Sequence, residues 1–153
     1  MPQSTTIRGR LLCPLATRPA LEHIPDGLIR LAGERITWVG PAPADCAIPE
    51  TRAGAVWLPG FVDAHVHFPQ TRVLGSATGP LLDWLQTTVF PEEARFREAA
   101  YARAVAEEFC AALAAQGTTT SAVFSSSDPG ATGVLFEAFE RWGLRGWLGL
   151  TLM

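Results

Sequence analysis

The sequence predicts an α/β protein in which a small β-module precedes a parallel strand–helix series. Three observations carry this reading. Up to residue 58 the chain is a set of short β-like runs punctuated by Pro and Gly. A strand-length run, FVDAHVHF, follows, and after it come two stretches of helical periodicity, each succeeded by another β-branched run. A chain of 153 residues, 48% hydrophobic and 18% charged, has the length and apolar content for an ordinary globular core.

The elements follow in order. GLIRLAGERITWVG reads as two strands around Ala32-Gly33-Glu34, with Leu28, Arg30, Ile36 and Trp38 near a hairpin turn. Pro41 to Pro49 interrupts the pattern and AVWLP resumes it. FVDAHVHF is the first strand of the second region. A long loop and a short apolar segment, PLLDWLQTTVF, come next. The spacing of Phe96, Ala100, Val105, Phe109, Ala112 and Leu113 predicts one helix from about Glu93 to Gln116, stopped by Gly117. TTTSAVFS reads as a second strand. Asp128-Pro129 supplies an N-cap and a proline at the first helical position. Leu135, Phe136, Phe139 and Trp142 form the apolar face of that second helix, Gly143 ends it, and LRGWLGLTLM is a third strand. Alternation of this kind implies a parallel sheet, which builds either an open doubly wound sheet or a closed barrel.

Charge and cysteine usage exclude several function classes. The formal charge is −3, and the twelve basic residues are all arginine and scattered, so no basic patch offers itself to nucleic acid or anionic lipid. Cys13, Cys46 and Cys110 lie far apart with no CxxC pair, which predicts free thiols in a reducing cytoplasm. The opening MPQSTTIRGRLLCPLATRP lacks a signal-peptide pattern, and no window has the apolar length of a membrane span.

The chemistry concentrates in LPGFVDAHVHFPQ, positions 58 to 70. Strand alternation predicts that Phe61, Asp63, His65 and His67 share one face, while Val62, Ala64, Val66 and Phe68 pack against helices. Burying unpartnered polar groups costs about 2–7 kcal/mol each. A metal ion between the imidazoles of His65 and His67 removes that cost, with Asp63 fixing a ring orientation from behind. A lone HxH also arises by chance in buried histidines that merely hydrogen-bond to backbone. His23, in the Pro-rich early region, reads as a surface residue. Pro59-Gly60 and Gly75 read as turn residues.

A β-module followed by LPGFVDAHVHF resembles the opening of the amidohydrolase superfamily. The resemblance implies the start of a metal-dependent (β/α)8 barrel, about three strands of it over residues 59–153. It also implies that residues 1–58 are part of a small β-sandwich domain. Gln70 followed by GPLLDWLQTTVFPEEARF narrows the likeness to the guanine deaminases, as does QGTTT at 116 to 120. Carried over residue by residue, it implies that His65 and His67 are the first two zinc ligands. It also implies that Gln70 hydrogen-bonds the purine and that Leu81 and Trp84 wall the substrate pocket. The implied reaction converts guanine and water to xanthine and ammonia, with one Zn2+ (or iron) per subunit of a homodimer. A sister specificity, such as another purine deaminase or a chlorohydrolase, and a non-catalytic assembly subunit are the alternatives.

The catalytic set is incomplete in these residues. A catalytic zinc has three protein ligands, and two are present. The remaining ligands and the proton-shuttling acid are expected on later strands. A complete barrel occupies about 250 residues. Glu92, Glu93, Glu98, Glu107 and Glu108 fall in loop or helix, where a solvated role is expected. The chain alone is therefore expected to be an inactive N-terminal portion with exposed apolar faces.

Overall fold

The computed structural model describes residues 4–17 and 19–152. The chain divides into two compact units, Met1–Pro59 and Gly60–Met153.

The first unit is one four-stranded sheet in the order β3-β2-β1-β4, with β1 at Ser4–Pro14, β2 at Leu21–Ala32, β3 at Arg35–Pro41 and β4 at Val56–Trp57. The hairpin between β2 and β3 turns at Gly33, whose φ of 59° requires a residue without a Cβ penalty. β4 pairs with β1 in parallel, so a crossover separates them. Leu11, Ile24 and Leu28 are buried. The expected β-sandwich has one sheet here, and no second facing sheet occurs among the described residues. The loop from Pro41 to Pro49 is tied down by Arg8. Its guanidinium grips Asp26 as a fork, at 2.8 and 2.7 Å, and donates to the carbonyls of Cys46 and Ile48.

The second unit is a parallel three-stranded sheet, β5 (Phe61–His67), β6 (Thr118–Phe124) and β7 (Arg145–Gly149), in that order. Between β5 and β6 run the short helices α1 (Leu81–Trp84) and α2 (Phe90–Ala94) and the long helix α3 (Ala99–Ala115), and α4 (Pro129–Trp142) connects β6 to β7. Phe68, Phe96, Val105, Phe109, Leu113, Val123, Leu135 and Phe139 belong to one buried cluster. Asp128 caps α4 by accepting from the Ala131 N–H at 2.9 Å, and Gly143 closes it in the left-handed region. Among the described residues no helix is long and apolar enough to cross a membrane.

Four sequence expectations need correction. The helix expected from Glu93 to Gln116 is broken: a short α2 (Phe90–Ala94) and a 3-10 turn precede Glu98, whose ψ of 109° is extended, and α3 starts only at Ala99. The break leaves Phe96 edge-on to both Phe68 and Tyr101, at 4.9 and 5.4 Å between ring centres, a pair of contacts that outweighs the helical continuity of its neighbours. Phe136 and Trp142 are not on the buried face of α4; they are 51% and 41% exposed. Val62, expected against the helices, is also exposed. Gly60 is not among the positive-φ turn glycines, unlike Gly75. Its smallness serves instead a close approach to Thr119.

Candidate metal centre

His65 and His67 sit at the C-terminal end of β5, the end at which parallel β/α barrels gather their chemistry. Their Nε2 atoms face each other at 3.2 Å. Zinc–nitrogen bonds of about 2.0–2.1 Å, opened to a tetrahedral angle, place two nitrogens about 3.3 Å apart. The pair therefore has the spacing of two ligands to one ion. Burial, and after it the neighbouring His65, holds His67 below the ordinary imidazole value, which favours the neutral ring that ligates. Phe124, at the end of β6, braces both rings. It stacks on His67 at 5.0 Å and 16°, and lies tilted against His65 at 4.8 Å.

Asp63 acts differently from the expectation. The β5–β6 register slips between Asp63 and Val66, and Asp63 still lines one cavity together with His67. Its carboxylate accepts from the backbone N–H of His65 at 3.1 Å rather than from a ring. Whatever orientation it imposes passes through the main chain.

Gln70 lies in the 3-10 turn Phe68–Val73 that leaves β5. With His67 it lines a cavity of about 220 Å³ whose other walls are Pro69, Leu85, Val89, Phe90, Glu93, Ser125 and Thr151. Leu81 and Trp84 do not line this cavity. Leu81 is 65% exposed, and the Trp84 indole N–H donates to the Ser76 hydroxyl at 3.1 Å. The same apolar segment nonetheless supplies the wall, through Leu85, Val89 and Phe90 one to two turns later. His23 stands on β2 of the first unit.

Two glutamates expected to be solvated are not. Glu92 is only 9% exposed and accepts from the Tyr101 hydroxyl and from Arg95. Glu93 is half-buried, and that burial pushes its carboxyl above the ordinary range, against the pull of the Ser127 N–H that it accepts at 3.2 Å. Periodicity runs Glu93 into one long helix and leaves Glu92 in the loop before it; the break at Glu98 instead puts both in a short helix of their own. Ser125 has its hydroxyl occupied by Thr132 at 2.9 Å. Among the described residues no group of three or more His, Cys, Asp or Glu is placed to hold a metal ion; the described residues offer two imidazole nitrogens at ligand spacing.

Comparison with known proteins gives the family. Residues 56–153 match the model of the amidohydrolase family. A probable guanine deaminase from Deinococcus radiodurans is 41% identical over 143 residues, covering 86% of this chain and 32% of that protein. Among solved structures, the Escherichia coli guanine deaminase superposes with a TM-score of 0.83 at 31% identity, covering 99% of this chain and 37% of that one. The guanine deaminase of Clostridium acetobutylicum, solved with guanine in its active site, gives a TM-score of 0.79 at 25% identity and covers 96% of this chain and 36% of that one. This chain thus spans about a third of the length of such relatives. Across the strand that carries the histidines and both β/α units after it, the chain belongs to the amidohydrolase family.

Proposed function

We propose that this chain supplies the first two metal ligands and part of the substrate pocket of a zinc-dependent guanine deaminase. The observation that carries the reading is the pair of imidazole nitrogens 3.2 Å apart at the mouth of β5, opening beside a cavity that Gln70 lines. The match to guanine deaminases over most of the chain supports the substrate.

In this reading His65 and His67 hold Zn2+, which when bound supplies the Lewis acid that activates water at neutral pH. Phe124 keeps the two rings aligned, and Asp63 holds the His65 main chain. The Gln70 amide both donates and accepts, which suits the edge of a purine that carries a donor beside an acceptor. Leu85, Val89 and Phe90 cover the ring and exclude bulk water. Water and guanine give xanthine and ammonia. The acid that moves the proton, and the further ligands, come from outside these residues. The working protein is cytoplasmic and homodimeric in this proposal, and the 153-residue chain alone is inactive. Trp147 on β7 is 74% exposed, an apolar surface of the kind that neighbouring strands cover.

Ammonia release is to be measured with the metal-loaded protein, as its native gene expresses it, on guanine, adenine, 5-methylthioadenosine and an s-triazine. Guanine is expected to give the highest kcat/KM by at least about a hundredfold, the size of discrimination available from paired polar contacts. Preference for any of the others overturns the assignment, and saturable guanine turnover by the isolated 153-residue chain overturns the claim that it is catalytically incomplete.

A further inference from the structure

Glu93 belongs to the short helix α2, at the far end of the segment that walls the cavity beside His67. Its Oε1 accepts from the backbone N–H of Ser127, in the turn between β6 and α4. Among the described residues this is the sole hydrogen bond joining the segment from Leu81 to Ala94 with the turn that follows β6. That turn starts at Ser125, which lines the same cavity, and leads into the Asp128 cap of α4. Leu81–Ala94 is one continuous helical run in which a π-helical turn, Leu85–Val89, separates two short stretches of α-helix. A π-helical turn is a local irregularity in the helical ladder, of a kind frequent at functional sites. The Glu93 carboxylate is half-buried, while the Ser127 that donates to it is exposed.

We propose that Glu93 is a positioning residue: its bond to the Ser127 N–H pins the Leu85–Val89–Phe90 wall against the turn after β6, and so sets the width of the purine cavity between that wall and Gln70. The proposal rests on the guanine deaminase reading for its ligand, although the tie itself does not. A pinned wall contributes equally to ground-state and transition-state binding, so its loss raises KM and leaves kcat nearly unchanged. The role needs an acceptor oxygen of the right reach and needs no negative charge, so glutamine can fill it.

The test uses the metal-loaded protein as its native gene expresses it, with Glu93→Ala, Glu93→Gln and Glu93→Asp. Glu93→Ala is expected to raise KM for guanine by at least about tenfold with kcat within about threefold. Glu93→Gln is expected to return KM to within about threefold of the parent. Glu93→Asp, one methylene short, is expected to fall between them, and serves if the alanine variant does not fold. Amide hydrogen exchange supplies the second readout: residues 81–94 and the Ser127 amide lose protection in the alanine variant and keep it in the glutamine variant. A glutamine variant as impaired as alanine would show that the carboxylate itself acts on substrate and would overturn the proposal. Unchanged KM or unchanged protection in Glu93→Ala would also overturn it. If the parent protein does not turn over guanine, the functional reading fails while the exchange data still decide whether the tie holds the wall.

Discussion

Gly60→Ala separates two explanations of the LPGF turn that leads into the histidine strand. A Cβ at position 60 would lie 2.1 Å from Thr119 Oγ1, 2.3 Å from its Cγ2 and 2.7 Å from its Cβ. Rotating Thr119 about χ1 exchanges one branch for the other and leaves its Cβ where it is. The backbone must therefore shift. That shift is passed directly to β5, because the Phe61 N–H donates to the Gly117 carbonyl at 2.8 Å and Phe61 is in register with Thr118. Overpacking costs about 1–3 kcal/mol, and three close atoms on a branched side chain place this substitution in the upper part, about 2–3 kcal/mol. If Gly60 were merely a permissive loop residue at negative φ, alanine would instead stabilise by about 0.4–1 kcal/mol through the unfolded chain. The two explanations differ in sign. Urea unfolding of the parent, Gly60→Ala, Thr119→Gly and the double variant measures both the loss and its relief. The double variant is expected to recover at least about 1.5 kcal/mol of coupling energy. Equal or greater stability in Gly60→Ala, or additive single effects, would refute the close-approach argument.

Two further outcomes follow from the site and the core. Phe124→Ala removes the ring that packs on both imidazoles; at about 0.5–1.5 kcal/mol per aromatic contact, less for a ring partly open to solvent, zinc affinity is expected to fall by about 5- to 30-fold. Competition with a chromophoric chelator reads this, and affinity within about twofold of the parent in a folded variant would refute the brace. Cys110 is fully buried, and that burial pushes its thiol up to about 11. An aromatic disulfide reagent at pH 8 is therefore expected to modify the half-exposed Cys13 and Cys46 and to reach Cys110 only in denaturant. Three reacting thiols in the native protein would contradict the packing of α3.

What could be read from the sequence, and what could not, divides by the range of the interactions concerned. The β2–β3 turn at Gly33, the Asp128-Pro129 start of α4 and its Gly143 stop are each decided within a few residues, and the chain states them openly. The HxH pair was legible for the same reason, because two positions apart on a strand is enough to bring the rings together. The break at Glu98 was not legible. It answers to Phe68, far back in the chain, which draws Phe96 inward, and periodicity counts only the helix's own residues. Glu92 and Glu93 were misread as a consequence, since a continuous helix beginning near Glu93 would have left both in solvent. For Asp63 the strand was legible but the partner was not: its carboxylate takes the His65 backbone N–H, a short-range contact that side-chain alternation does not describe. Leu81 and Trp84 came from the resemblance, which fixes the segment but not which of its turns faces the cavity.

The candidate site is assembled entirely from neighbours in space that are also near in fold order. His65 and His67 come from β5, Phe124 from the adjacent β6, Gln70 from the turn leaving β5, and Glu93 from the segment just before α3. All lie in the second unit, whose buried cluster is drawn mainly from α3 and α4, with Val123 of β6, Phe68 and Phe96. The two nitrogens stand 3.2 Å apart because the rings lie two positions apart on one strand, with Phe124 packed on both. Gly60, through its close approach to Thr119, fixes the start of that strand. Neither Phe124 nor Gly60 offers a ligating atom, yet the spacing of the pair is expected to depend on both, the one by bracing the rings and the other by placing the backbone that carries them.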